Sequence, residues 1–63
     1  MIQDSAIPIE QRQSIFLAVV QAQDEGMSVA ASRAEAAKRY SVTEAQIKEI
    51  EAEGLDQQWP PLS

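Results

Sequence analysis

Two helix-start signals follow each other closely in the second half of this chain, and they constrain the fold more than any other feature. Ser32-Arg33-Ala34-Glu35 has the S-x-x-E form and Thr43-Glu44-Ala45-Gln46 the T-x-x-Q form. In each, the first side chain and the fourth can satisfy one another's unpaired backbone donors. Two starts this close leave room for only a short helix between them. Ser32 is therefore read as the N-cap of a helix from Arg33 to Arg39 or Tyr40, with Ser28 as an alternative, earlier start. Thr43 is read as the N-cap of a further helix over residues 44–53, in which Ile47 and Ile50 share one face. Gly54 is expected to close that helix in a left-handed conformation, with Leu55 packing back on Ile50.

A longer helix precedes this pair, from Pro8 or Ile9 to Glu25. Proline suits a first turn, where its missing N–H has no partner to lose. Glu10 favours the N-terminal end of the helix dipole. Phe16, Val19 and Val20 form an apolar stripe, widened by Ile9, Ile15 and Ala22. Gly26 reads as the left-handed residue after the helix, with Met27 folding back towards Ala22. The expected fold is all-α: a three-helix bundle (helices about 8–25, 33–40 and 44–53) containing a helix-turn-helix, followed by an extended, proline-containing tail over 54–63. The whole chain, 1–63, is read as a single small domain. Within the tail, Trp59-Pro60-Pro61-Leu62 has two readings. The apolar groups fold back to enlarge a small core, or they dock on a partner.

Composition narrows the chemistry. Sixty-three residues bury a modest core, and chains this small usually gain stability from a disulfide, a metal or a partner. Cysteine and histidine are both absent, which removes thiolate ligands, the commonest metal ligand and the usual general base. No metal or cofactor is expected. Ser14, Ser28 and Ser32 have no base to activate them, and there is no glycine-rich phosphate loop, so neither an enzyme nor a small-molecule substrate is expected. The longest apolar run, Ile15 to Val20, is far too short to span a membrane, and no basic segment followed by an apolar one opens the chain. No membrane association and no secretion signal are expected, and the cytoplasm is the expected location.

The stretch from Arg33 to Ala52 resembles the helix-turn-helix superfamily of DNA-binding proteins, in the style of small bacterial and phage trihelical modules of sigma-factor or transposase type. Ala37 matches the small residue where the two helices touch. Ser41 matches the turn position, where the pattern prefers glycine. Ala36, Tyr40, Val42, Ile47 and Ile50 fill the apolar positions. The resemblance implies that the last helix is the recognition helix, entering the major groove by its N-terminal end. It implies base-reading candidates Thr43, Glu44, Ala45, Lys48 and Glu49. Arg33, Lys38 and Arg39 are the candidates for phosphate contact. Transcription regulation is the function so implied, with double-stranded DNA as partner.

Charge opposes that reading. The chain carries a formal net charge of -5, and the segment Glu44 to Glu53 sets four glutamates against Lys48. Binding to DNA draws on Lys and Arg at phosphates, and carboxylates facing the groove are repelled. Glu44 and Lys48 also stand four apart in the order that favours an ion pair along the helix. The competing expectation is an accessory subunit of a larger complex, or a self-associating chain, that reuses the fold without binding DNA. Trp59, Pro60, Pro61 and Leu62 are then the partner-binding candidates. A DNA-mimicking inhibitor is a weaker third reading, because the acidic residues form no long run.

Overall fold

The computed structural model describes residues 7–60. Three helices make up the order: α1 (Ile9–Asp24), α2 (Val29–Tyr40) and α3 (Glu44–Gln57). Each packs against the other two. No helix among the described residues is long and apolar enough to cross a membrane.

Helix α1 starts as expected. Pro8 is its N-cap, and the Arg12 N–H makes the first helical bond to the Pro8 carbonyl at 3.0 Å. Ile15, Phe16 and Val19 are buried, and Val20 packs partly against them. Ile9 is not part of this stripe; half of it is exposed. Ile7, just before the helix, takes the place at that end of the core and is buried. The chain is held there by the Arg12 guanidinium, whose Nη1 donates to the Ile7 carbonyl at 2.6 Å. The end of α1 follows the sequence signal closely. Gly26 has φ +105, the Gly26 N–H donates to Gln23 O at 3.0 Å, and the Met27 N–H donates to Ala22 O at 3.1 Å. This paired closure is the Schellman arrangement.

Helix α2 corrects one expectation. Its N-cap is Ser28, in extended conformation, with its hydroxyl accepting from the Ala31 N–H at 3.1 Å. Ser32 lies one turn inside the helix and is buried. Its hydroxyl donates to Val29 O at 2.8 Å and accepts from Gln23 Nε2 at 3.0 Å. The two serines stand four apart and so share a helix face; the one at the end caps, and the one inside meets α1. Glu35, the other half of the expected capping box at Ser32, is exposed.

Helix α3 begins with the expected box. The Gln46 N–H donates to Thr43 Oγ1 at 3.0 Å, and the Thr43 N–H donates to Gln46 Oε1 at 2.8 Å. Its end differs from expectation: the helix runs through Gly54 to Gln57. Gly54 is buried within the helix because the Phe16 ring lies against it and leaves no space for a side chain. The left-handed residue is Gln58, with φ 55, and the Trp59 N–H closes on Gly54 O at 2.9 Å. The apolar residue that folds back is Trp59 rather than Leu55. Leu55 is 62% exposed and does not pack on Ile50. The Trp59 ring meets Phe16 edge-on, with centroids 5.9 Å apart and planes at 82°, an arrangement aromatic pairs favour. Residues 54–57, expected in an extended tail, are thus helical; Pro61, Leu62 and Ser63 lie outside the described residues, as do Met1–Ala6.

The core therefore draws on every part of the described chain: Ile7, Ile15, Phe16, Val19, Ala36, Ile47, Ile50 and Trp59, bordered by Val20, Ala37, Tyr40 and Val42. Among the described residues, no buried side-chain nitrogen or oxygen lacks a hydrogen-bond partner.

Candidate functional site

The turn between α2 and α3 is three residues long: Ser41, Val42 and Thr43. Ser41 adopts a left-handed conformation (φ 57, ψ 44), and the Val42 N–H returns to Ala37 O at 3.0 Å. Val42 points its side chain into the edge of the core, while Thr43 turns extended and starts α3. Ile47 and Ile50 are buried on the inner side of α3. This leaves Thr43, Glu44, Ala45, Lys48 and Glu49 all exposed on the first turns of α3.

The five are not equivalent. The Thr43 hydroxyl is engaged in the capping box, receiving the Gln46 N–H and donating to Gln46 Oε1 at 3.3 Å. With the buried side of α3 centred on Ile47, Ile50 and Gly54, a rotation of about 100° per residue puts Ala45 and Ala52 outermost, flanked by Lys48 on one side and by Glu49 and Asp56 on the other. Glu44 sits nearer the border with α2, and its charge helps hold the Arg33 guanidinium protonated. The expected Glu44–Lys48 ion pair does not form: no such contact within 4.0 Å occurs among the described residues.

Two ion pairs change the electrostatics of α3 and were not legible in the sequence. Arg33 Nε donates to Glu51 Oε2 at 3.0 Å, and its Nη2 to Glu51 Oε1 at 2.9 Å. The hydrogen bond to Glu51 is the main cause raising the Arg33 pKa above its ordinary value. Arg12, from α1, donates through Nε and Nη2 to the two Glu53 oxygens at 2.9 and 3.2 Å. Both are two-point guanidinium–carboxylate contacts, the geometry that best fixes orientation. Each ties α3 to a different neighbour.

Of the phosphate candidates, Arg33 is therefore occupied by Glu51. Lys38 and Arg39 are exposed in the last turn of α2, where positive charge suits the helix dipole. Arg39 lies with its guanidinium carbon 5.7 Å from the Tyr40 ring centroid. Tyr40 itself is half-buried against the core, in line with its expected packing role. The exposed charges around the turn thus come to three cations, Lys38, Arg39 and Lys48, and two carboxylates, Glu44 and Glu49.

The partner-binding candidates are placed differently. Trp59 is only 6% exposed and belongs to the core. Pro60 is exposed beside Glu10, Gln13, Ser14 and Leu17 of α1. Pro61 and Leu62 lie outside the described residues. A separate open cleft of 370 Å³ runs between α1 and α2, lined in part by Ala22, Glu25, Met27, Glu35 and Arg39. Of the base and phosphate candidates it gathers only Arg39. Among the described residues, no group of three or more acidic side chains is placed to hold a metal ion. Comparison of the chain with protein-family models, with curated proteins and with solved structures finds no match.

Proposed function

We propose that this chain is a small helix-turn-helix protein that binds double-stranded DNA in transcription regulation, with α3 as the recognition helix. The observation that carries the reading is the partition of charge on α3. Glu51 and Glu53 are bound to arginines of the neighbouring helices, so two of the three carboxylates in the second half of the helix are neutralised within the protein, and the third, Asp56, stands exposed in the last turn, far from the turn between α2 and α3. The exposed first half keeps Glu44, Ala45, Lys48 and Glu49, next to Lys38 and Arg39 across the turn. Phosphate contacts by Lys38, Arg39 and Lys48 position the protein, and the outermost residues of α3 meet the base edges. The left-handed Ser41 supports the same reading, since it stands at the turn position of the pattern.

Three available cations set a ceiling on the electrostatic contribution. The slope of log K against log salt is expected near -2.7 per copy, from about -0.9 for each phosphate neutralised. Titration of short duplexes at several salt concentrations tests this. Absence of duplex binding at micromolar protein and low salt overturns the proposal.

A protein-interaction role is the second reading. Net charge of -5 favours it, as do Ile9, Val29 and Leu55, which are each about half or more exposed. The burial of Ile7 and Trp59 in the chain's own core weighs against it, because neither end of the described segment needs a partner to become ordered.

A further inference from the structure

In the first half of α3, Glu49 is the one carboxylate near the outermost line that no other group engages within 4.0 Å among the described residues and that does not lean towards α2. Its neighbours on that line, Ala45 and Ala52, are small, so their side chains do not hold the helix away from a docked surface. A carboxylate carried into a DNA groove loses water and faces phosphates and base acceptors. It is tolerated only where it meets a donor. In the major groove the donors are the exocyclic amino groups of cytosine and adenine, and adenine sets its N7 acceptor beside that amino group. Cytosine presents the amino donor without a neighbouring ring acceptor.

Resting on the DNA-binding reading, we propose that Glu49 is a specificity-determining residue that requires cytosine at one position of the bound duplex. Its contribution is discrimination more than affinity, because guanine and thymine present only acceptors there and adenine sets its N7 acceptor beside the one donor it has. Lys48, on the other flank of the alanine line, is free for a guanine edge or a phosphate.

The test uses the full chain and its Glu49→Gln and Glu49→Ala variants, each selected against a pool of randomised duplexes. Selected duplexes are then measured with single-base changes. Glu49 is exposed, so both variants leave the core intact, which circular dichroism checks. Wild type is expected to prefer cytosine at one position by roughly 5- to 150-fold. Glu49→Gln is expected to move that preference to adenine, whose N6 and N7 a carboxamide can engage together. Glu49→Ala is expected to lose the preference while binding the general pool more tightly than wild type. Unchanged base preference in both variants, with a uniform gain in affinity, overturns this inference and leaves the DNA-binding reading standing. Failure of all three proteins to bind any duplex overturns both.

Discussion

Replacing Gly54 with alanine tests the packing of the whole bundle at one atom. A β-carbon at this position would lie 2.5 Å from Phe16 Cε1 and 2.7 Å from Cγ, with Cδ1 closer still. Phe16 is 1% exposed and its ring is held on another side by Trp59, so it has no open space to move into. Helix propensity alone favours alanine over glycine by about 1 kcal/mol. Overpacking of a filled core costs about 1–3 kcal/mol, and displacing an aromatic ring by more than an ångström belongs at the upper end. The net expectation is a loss of about 2 kcal/mol. In a chain of this size each kcal/mol lowers Tm by about 4–8 °C, so a fall of about 8–16 °C is expected by circular dichroism, with Trp59 fluorescence as a second probe. In a Phe16→Ala background the three clashing ring atoms are gone, and the same substitution should cost much less or become favourable, a coupling typical of residues in contact. An equal cost in both backgrounds refutes the steric argument. Gly26→Ala separates space from backbone: nothing lies within 4 Å of a β-carbon there, yet φ is +105, so the loss is about 1 kcal/mol and independent of Phe16.

Ser41→Gly should raise stability by about 1 kcal/mol, since serine at φ 57 bears a left-handed penalty that glycine escapes; a lower Tm would contradict this. Ser28→Ala should cost about 1 kcal/mol through loss of the α2 cap. Ser32→Ala should cost about as much by a different route, leaving Gln23 without its partner; a silent Ser28→Ala in thermal melts would return the cap to Ser32. Removing the pair together, Arg33→Ala with Glu51→Gln, should leave duplex affinity within twofold, because the guanidinium is engaged by that carboxylate. Lys38→Ala, Arg39→Ala and Lys48→Ala should each flatten the salt slope by about 0.9; a flattened slope for the paired Arg33→Ala, Glu51→Gln variant instead would place the arginine on phosphate.

Local chemistry determined a good deal by itself. The apolar spacing of Ile15, Phe16 and Val19 and of Ile47 and Ile50 set which faces turn inward. The Thr43–Gln46 box and the closure at Gly26 were legible too, because each is completed by atoms within a few residues. Tertiary structure decided wherever two local solutions were available. Ser28 and Ser32 can both cap a helix, and contact with Gln23 of α1 draws Ser32 inside. Gly54 can end a helix or fill a narrow place in one, and the Phe16 ring chose the second, carrying α3 on to Gln57. The charge of the candidate site was decided in the same way. Glu53 meets Arg12 from the opposite part of the chain, and no spacing rule links residues so far apart. A hydrogen bond within one turn is encoded by neighbours, whereas a ring against a glycine or a guanidinium across two helices exists only once packing has brought distant segments together.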